Sequence, residues 1–481
     1  MADVDVAIIG GGLNGACIAR DAAGRGLRVA LFEQNDLGSG AAMASSHLMH
    51  GDFIALERGR ARHVRTALAE RDIALRAAPH LVRPTRFILP LHADERPPAM
   101  LRAGLFFYNR LAGQSGLPRP EILDLTIDEA GHPLKRSLGL ALGWSDCTVD
   151  ETRLVVLNAV DAAARGALIR TGARCVWAER FDVWKLTILN RGRRETVTAR
   201  ALVDTSGAWT RRVAETVLHL PAVQASFAKI SQIVVRRMFD HDNVYVLQND
   251  DRRMIYAIPF HRDFTLIGLS ECGFDGDPAT ASPGADDLAY LCKAASRYFR
   301  ELIGPADVLH ATAGCIADDP RDGFMKMNRK RGEAPLLTVV GGATTSARRR
   351  ASRALARLLP FFAVLPPWTA NAPLTGGDFA HDAFNDQVDD ARERWTFLGE
   401  RHAKRLVAAY GTRIDRILGA AKSMDDLGPL FGDDLTGAEV RYLMNEEFAR
   451  FADDILWRRS KLGLTMRRRD REALAAFMAA A

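Results

Sequence analysis

Residues 4–33 read VDVAIIGGGLNGACIARDAAGRGLRVALFE, and this stretch decides the fold. An apolar run over residues 4–9 predicts a buried strand, residues 16–24 have helical spacing, and residues 27–32 predict a second strand. Gly10, Gly12 and Gly15 complete the pattern G-x-G-x-x-G between the first strand and the helix. A strand, a glycine turn, a helix and a second strand in this order predict a βαβ unit that binds a dinucleotide.

Each part of this unit has a predicted role in holding the dinucleotide. The first glycine allows the tight turn, the second lets a pyrophosphate approach the backbone, and the third lets helix and strand pack closely. The helix N-terminus, beside Asn14, offers unpaired N–H groups and a positive dipole end to the phosphates. Glu33 ends the second strand, where we expect its carboxylate to accept hydrogen bonds from the adenosine ribose.

Three later segments of small residues favour FAD over NAD as the dinucleotide. One is the loop over residues 38–46, and the other two are glycine turns that follow predicted strands. Their candidate cofactor-binding residues are Ser45, Ser46, Gly207, Trp209, Gly341, Gly342, Thr344 and Thr345. Turns that converge from distant parts of the chain suit the length of FAD better than one NAD half-site. The third turn opens a helix, whose N-terminus is expected to face the flavin ring.

The composition is typical of a soluble globular protein with two or three domains. The chain has 481 residues, 48% of them hydrophobic and 26% charged, and no run of 18 apolar residues predicts a membrane span. The net charge of +6 is spread along the chain and indicates no nucleic-acid partner. The six cysteines lack metal-ligand spacing, so we expect reduced thiols, no metal site and a cytoplasmic location. The acidic start, MADVD, is unlike a signal peptide.

Basic and apolar runs outside the motifs have two interpretations each. The basic runs at residues 348–357 and 458–471 are expected to be solvated helix faces, with anionic lipid headgroups as the alternative partner. The apolar segments at residues 100–108 and 355–365 are expected to pack in the core, with a membrane surface as the alternative. After Pro366 and Pro367 the strand pattern ends, and helices are expected to the end of the chain.

Longer stretches of the sequence are similar to one known family. They include AIIGGGLNGACIARDAAGRGL at 7–27, ASSHLMHGD at 44–52, GWSDCTVDETRLV at 143–155, IGLSECGFDGDP at 267–278 and FADDILWRRSKLGL at 451–464. Together they resemble the FAD-dependent (aerobic, quinone-linked) glycerol-3-phosphate dehydrogenases. The resemblance covers essentially the whole chain and so extends beyond a shared dinucleotide-binding unit.

The resemblance implies an α/β fold in three parts. A Rossmann-like FAD-binding domain of the glutathione-reductase or D-amino-acid-oxidase type is expected over residues 1–80, 147–215 and 305–365. A substrate cap with an antiparallel sheet is expected over residues 81–146 and 216–304, and a helical domain over 366–481. The implied reaction moves hydride from C2 of sn-glycerol 3-phosphate to flavin N5, gives dihydroxyacetone phosphate and passes electrons to a quinone. Peripheral contact with the inner face of the cytoplasmic membrane and a homodimer are left open.

The departures from the family pattern fall where the substrate is expected. The pattern S-S-K-L-x-H-G-G-x-R-Y-L keeps its histidine as His50, but its second glycine is Asp52 here. Polar residues of the family are replaced at four further positions, which are Ile54 for arginine, Gln232 for histidine, Ile316 for arginine and Ala343 for lysine. Each charge-assisted phosphate contact that is lost costs roughly 1.5–3 kcal/mol.

His50, Lys229 and Arg329 are therefore the candidate substrate-site residues, the last two as anion contacts. Three functions stay open. The first is oxidation of glycerol 3-phosphate, and the second is oxidation of a less charged polyol or a hydroxy acid. The third is a flavoprotein that has lost turnover. In the first two, the expected partners are a small-molecule substrate and a quinone.

Overall fold

The computed structural model describes residues 2–57, 59–92, 98–113, 116–251, 253–261, 263–318, 322–363 and 365–480. The strands are β1 Val4–Ile9, β2 Val29–Phe32, β3 Leu48–Met49, β4 Val82–Pro90, β5 Glu121–Asp124, β6 Leu140–Val149, β7 Leu168–Arg170, β8 Ala173–Arg180, β9 Trp184–Asn190, β10 Arg193–Asp204, β11 Phe227–Arg236, β12 Val244–Gln248, β13 Met254–Phe260, β14 Phe264–Gly273, β15 His310–Ala317, β16 Phe324–Asn328, β17 Leu336–Val340, β18 Leu430–Phe431 and β19 Leu435–Thr436. The α-helices are α1 Leu13–Gly24, α2 Phe53–Glu57, α3 Ala61–Ala77, α4 Pro98–Ala112, α5 Glu151–Ala164, α6 Thr210–Arg212, α7 Ala285–Tyr298, α8 Ala347–Leu358, α9 Phe384–Arg394, α10 Glu400–Tyr410, α11 Ile414–Leu418, α12 Gly437–Glu446 and α13 Arg468–Ala480.

The first sheet is built around the predicted βαβ unit. Its strand order is β16-β17-β10-β1-β2-β7, with β9 pairing on β10 and β8 on β9. β1 pairs in parallel with β2 and β10, and β10 pairs in parallel with β17. β1 and β2 are apolar runs because central parallel strands are covered on both faces. The carboxyl ends of β1, β10 and β17 lie together, so the three glycine turns that follow them are neighbours.

The second sheet forms the cap. Its order is β15-β11-β14-β13-β12-β4-β6-β3, with β5 paired to β6, and its described pairs are antiparallel apart from β12 with β4. α7 packs against β11, β13 and β14. The sheet includes β3 and β15, whereas the sequence prediction grouped residues 1–80 and 305–365 with the first unit. β15 joins the cap because its whole length pairs with β11.

The third unit is helical, as predicted, and contains α9–α13 around a core of its own. Buried ion pairs connect it to the first unit, since Arg153 of α5 pairs with Glu447 and Arg459 pairs with Asp36. A buried guanidinium requires a carboxylate partner, because an unpaired buried charge is strongly destabilising. These pairs therefore tie the helical domain to the dinucleotide-binding unit.

The expectation of solvated basic faces is wrong for parts of both runs. Arg459 is 1% exposed, and Lys461 is buried and pairs with Asp150. In the other run, Arg350 is buried, and Arg348 makes an ion pair with Glu70. The carboxylates come from distant parts of the chain, and for this reason the local charge pattern did not reveal them.

Two helical predictions also need correction. The sequence predicts one helix over residues 56–77, whereas the structure has α2 and α3 separated at Gly59, whose φ of 71° suits glycine. The apolar segment at 100–108 lies on α4, which is buried on one side only: Leu105 is 4% exposed, but Phe106 is 64% and Phe107 58% exposed. Among the helices that the structure describes, none is both long and apolar enough to cross a membrane.

Candidate functional site

A cavity of about 740 Å³ lies along the three glycine turns and reaches the second sheet. The predicted site residues that line it are Gly10, Gly12, Asn14, Glu33, Ser45, Ser46, His50, Gly207, Trp209, Gly341, Gly342, Thr344 and Thr345. Gly15, Lys229 and Arg329 are not among the described residues of its lining. Thirteen of the sixteen predicted positions therefore line the cavity, and Gly15 lies against Gly10 in the first turn, where its predicted role is to let helix and strand pack closely.

The three glycines of the first turn have three different surroundings. Gly10 has a φ of 105°, and a Cβ there would lie 2.6 Å from the carbonyl oxygen of Thr205. A Cβ on Gly15 would lie 1.9 Å from the carbonyl oxygen of Gly10, so helix and strand could not pack as they do. A Cβ on Gly12 would meet no atom within 4 Å, because this residue faces the open cavity. These are the features that a turn holding a pyrophosphate requires.

Glu33 lies where the ribose is expected. Its Oε2 accepts a hydrogen bond from Gly11 N–H at 2.7 Å, and its Oε1 accepts one from Asn35 N–H at 2.8 Å. Burial raises the pKa of Glu33, although these backbone N–H groups oppose the shift. A carboxylate oxygen can accept more than one hydrogen bond, so Glu33 retains capacity for ribose hydroxyls.

A buried polar network connects the first and third turns. Asn14 Nδ2 donates to the carbonyl oxygen of Gly341 at 3.1 Å, and Arg350 Nε donates to Asn14 Oδ1 at 2.8 Å. Arg350 Nη1 also donates to Ser346 Oγ at 2.9 Å and makes an ion pair with Asp322 at 3.2 Å. Sequence reasoning missed Arg350 and Asp322 as site residues, because their partners are remote in the chain. The network fixes the start of α8 beside the cavity.

Glu151 is a further lining residue that sequence reasoning missed. It opens α5, and its carboxylate accepts a hydrogen bond from Thr344 Oγ1. Burial raises the pKa of Glu151 to about 7, although Thr344, Ser45 and Arg350 oppose the shift. The stretch VDETRL, which contains it, gave only a helix start at Asp150 as a signal.

The cap end of the cavity is lined by a group of titratable side chains. His50, Asp52, Arg60 and His63 all contribute to the lining. This group adjoins the third turn, since Thr345 Oγ1 donates to the carbonyl oxygen of His50 at 3.3 Å and α3 packs against residues 344–346. The sequence pattern gave no signal for Arg60 or His63.

Ile316 and Ala343 line the cavity, as expected for substrate-facing positions. Gln232 is buried beside it and donates to the carbonyl oxygen of Met43 at 3.1 Å, while its Oε1 has no hydrogen-bond partner among the described residues. Ile54 is the second residue of α2, and its side chain lies outside the described part of the chain.

Lys229 and Arg329 are not brought to the site. Ile230 lines the cavity, and neighbours on a strand point to opposite faces, so Lys229 points away and pairs with Asp287 at 2.7 Å. Arg329 follows β16 and is exposed, with its guanidinium 5.2 Å from the centre of the Phe361 ring. This geometry does not support the prediction that Lys229 and Arg329 contact an anion in the site.

Comparisons with known proteins agree with this arrangement. The family model for FAD dependent oxidoreductases matches residues 5–348, and the model for the C-terminal domain of alpha-glycerophosphate oxidase matches residues 367–481. A glycerol-3-phosphate dehydrogenase of Pseudomonas aeruginosa is 41% identical over 96% of this chain and 92% of its own length. The chain belongs to the FAD-dependent glycerol-3-phosphate dehydrogenase family.

Relatives of this dehydrogenase carry different substrate names. A D-erythritol 1-phosphate dehydrogenase of Brucella abortus is 37% identical, with 98% of this chain and 96% of the relative covered. The solved glycerol-3-phosphate dehydrogenase from Bacillus halodurans, complexed with FAD, matches with a TM-score of 0.80 at 23% identity. That match covers 99% of this chain and 90% of the other. It confirms the expected fold.

The cavity of this dehydrogenase fits FAD, the cofactor of its family. The open space at Gly12, the N-terminus of α1 and the carboxylate of Glu33 suit a pyrophosphate and a ribose. The turns at Gly207 and Gly341 adopt positive φ values of 61° and 70°, which lets backbone approach a bound group closely.

Proposed function

We propose that this dehydrogenase oxidises the secondary alcohol of a small polyol that carries less negative charge than glycerol 3-phosphate. FAD, when bound, accepts the hydride from the carbon and afterwards gives its electrons to a quinone. We also propose that the cofactor residues predicted from the sequence hold FAD, and that the cap covers the substrate.

The observation that carries this proposal is the absence of two cations that the family pattern has at positions lining the cavity. Ile316 and Ala343 line it where the family pattern has arginine and lysine. Lys229 and Arg329 lie outside the lining, and the carboxylate of Asp52 lies within it. Phosphate is bound best by charged donors, and a nearby carboxylate repels it. Polyol hydroxyls, in contrast, both donate and accept hydrogen bonds and carry no charge.

The chain's own residues divide the work along the cavity. The turn at Gly10–Gly12 and the N-terminus of α1 bind the pyrophosphate, and Glu33 binds the ribose. The N-terminal end of the turn at Thr344 and Thr345 faces the cavity, where its partial positive charge would favour negative charge on a bound flavin ring. The apolar side chain of Ile316 excludes water from the cap side.

An exposed aromatic face supports electron transfer at a membrane. Phe106 and Phe107 of α4 have ring centroids 5.8 Å apart and are mostly solvent-exposed, and Arg102 and Arg110 on the same helix are also exposed. Aromatic side chains with flanking arginines favour the interface of an anionic bilayer, in which quinones dissolve. We therefore propose peripheral contact with the inner face of the cytoplasmic membrane through α4.

The test is anaerobic reduction of the FAD-loaded protein by a panel of alcohols. The panel contains glycerol, erythritol, lactate, sn-glycerol 3-phosphate and D-erythritol 1-phosphate, and bleaching of the flavin band is recorded by stopped flow. We expect an uncharged polyol to bleach the flavin faster than its phosphate. If no alcohol bleaches a flavin that dithionite still reduces, the proposed function is wrong.

The second candidate substrate is glycerol 3-phosphate, which the names of several relatives favour. Arg60 is the observation that supports it, since this cation lines the cavity beside His50 and His63. If glycerol 3-phosphate is the substrate, Arg60→Gln should raise its KM tenfold or more, by roughly 1.5–3 kcal/mol for a charge-assisted contact. With erythritol as substrate, the same variant should change KM less.

A further inference from the structure

Asp52 and His63 form a pair at the cap end of the cavity. His63 Nε2 lies 3.6 Å from Asp52 Oδ2, and both side chains line the cavity. The side chain of His63 is 22% exposed and that of Asp52 is 41% exposed, so the pair is open to a ligand. The separation is longer than a hydrogen bond, but catalytic contacts are often long without a ligand and shorten in the complex.

The two carboxylate oxygens of Asp52 have different partners. Asp52 has a φ of 57°, in the left-handed region, where the family pattern has glycine. Its Oδ1 accepts a hydrogen bond from Ala55 N–H at 3.1 Å at the start of α2, which leaves Oδ2 for His63. Burial opposes ionisation, but the neighbouring imidazoles of His63 and His50 and the backbone N–H of Ala55 outweigh it and lower the pKa of Asp52. The carboxylate is therefore ionised at neutral pH.

Two other groups near the pair, His50 and Gln232, are unable to act as the base. His50 Nδ1 accepts a hydrogen bond from Asp52 N–H at 3.0 Å, so the neutral ring carries its proton on Nε2 and can only donate towards a ligand. Gln232 occupies the position of the family histidine, and an amide does not accept a proton at neutral pH. In His63, by contrast, an Nε2–H directed at Asp52 leaves Nδ1 as an acceptor.

We propose that His63 is the catalytic base of the alcohol oxidation and that Asp52 positions it. The inference rests on the proposed function. The hydroxyl O–H bond breaks and its proton goes to His63 Nδ1, while the C–H bond breaks and its hydrogen leaves with the electron pair to the flavin. The carbon and oxygen form a carbonyl bond, so the alcohol is oxidised by two electrons and the flavin is reduced by two. His50 Nε2–H donates to the substrate oxygen.

The surroundings of the pair limit what else can titrate with it. Among the described residues, His50 and Arg60 share this end of the lining, and Asp146 and Tyr256 line a smaller cavity next to Asp52. Glu151, whose pKa burial raises to about 7, lines the same cavity as the pair. Burial raises the pKa of Tyr256 to about 12, so it stays neutral over the working range. A change in the pH dependence of the rate in variants at Asp52 or His63 therefore reports on the pair, because these variants leave Glu151 in place.

The first test compares flavin reduction in His63→Gln, Asp52→Asn and His132→Gln, with the fastest polyol of the panel as reductant. His132 is an exposed histidine of the cap outside the cavity lining and serves as the matched control. We expect His63→Gln to slow reduction by about 10²- to 10⁴-fold and to remove the rise of the rate with pH. Added imidazole should restore part of the rate in His63→Ala, and His132→Gln should match the parent.

The variant Asp52→Asn tests whether Asp52 positions His63 or only caps the start of α2. The amide oxygen can still accept from Ala55 N–H, so the start of α2 is kept while the charge is lost. We expect unchanged FAD content and thermal midpoint, a lower limiting rate and little change in the Kd of dihydroxyacetone measured by flavin difference spectra. An unchanged rate in both His63→Gln and Asp52→Asn would overturn the inference.

A second test needs no substrate turnover, so it separates failure of this inference from failure of the proposed function. Diethylpyrocarbonate acylates an accessible neutral imidazole, and peptide mapping by mass spectrometry locates the adduct on the FAD-loaded protein. We expect modification of His63, protection by dihydroxyacetone, and unprotected modification of His132. If His132 reacts and His63 does not, no acceptor nitrogen faces the cavity and His63 is not the base. If His63 reacts but no alcohol bleaches the flavin, the proposed function fails and the base assignment fails with it.

Discussion

Replacing Glu151 by glutamine is predicted to stabilise the FAD-free protein above neutral pH. Glu151 is 7% exposed and borders the cavity between Thr344 and Ser45. Burial raises its pKa to about 7 from an ordinary value of 4.5, because the hydrogen bonds from Thr344 and Ser45 replace only part of the lost hydration. Glutamine keeps the shape and the acceptor oxygen but has no proton to lose.

The size of the effect follows from proton linkage. Between pH 4.5 and about 7 the folded protein holds a proton on Glu151 that the unfolded chain has released. The stabilisation from this group is therefore full below pH 4.5 and is lost as the pH rises through about 7. At 1.36 kcal/mol per pKa unit, the loss amounts to about 3 kcal/mol on the alkaline side.

The assay is thermal unfolding of the FAD-free protein on both sides of this window. We expect Glu151→Gln to melt about 3 °C above the parent at pH 8, and close to it at pH 4.5. Glu301→Gln is the matched control, since Glu301 is exposed on the cap, and it should leave the midpoint unchanged at both pH values. Equal midpoints of Glu151→Gln and the parent at pH 8 would refute the reasoning, because the carboxylate would then cost nothing to ionise.

Three further predictions address the cofactor, the substrate and the membrane. Gly12→Val should keep the parent's circular dichroism but lose the yellow colour of bound FAD, because the added side chain projects into the cavity. Gly15→Ala should also disturb folding, because its Cβ would clash with the backbone of Gly10. Retained FAD in Gly12→Val would contradict the prediction that Gly12 faces the bound cofactor. Ala343→Lys should tighten the binding of glycerol 3-phosphate tenfold or more in flavin difference titrations, by roughly 1.5–3 kcal/mol for one charge-assisted contact. An unchanged Kd would show that a cation at position 343 does not contact the phosphate. Exchange of Phe106 and Phe107 for serine should reduce co-sedimentation with anionic vesicles without changing FAD content; equal sedimentation would exclude α4 as the contact.

The parts of the site that sequence could predict are local. Gly10, Gly12 and Gly15 lie within six residues of one another, and a Cβ on Gly15 would clash with the backbone of Gly10 in the same turn. Glu33 ends the next strand of the same unit, so its place at the sheet edge follows from the βαβ order. The convergence of the second and third turns was also predictable, because all three follow parallel strands.

The parts that sequence could not predict depend on contacts across the chain. Lys229 faces away from the cavity because of the register of β11, and its partner Asp287 belongs to α7. The partner of Arg350 is Asp322, which precedes β16, so a buried ion pair had the sequence pattern of a solvated helix. His63 meets Asp52 only because the chain bends at Gly59 between α2 and α3.

The most direct measurement of the central claim is the ratio of two anaerobic flavin-reduction rates, one with glycerol and one with sn-glycerol 3-phosphate at equal concentration. We expect a ratio above one, because Ile316 and Ala343 replace two donors for phosphate of the family pattern while the carboxylate of Asp52 repels it. A ratio far below one would contradict this expectation and would identify glycerol 3-phosphate as the preferred substrate.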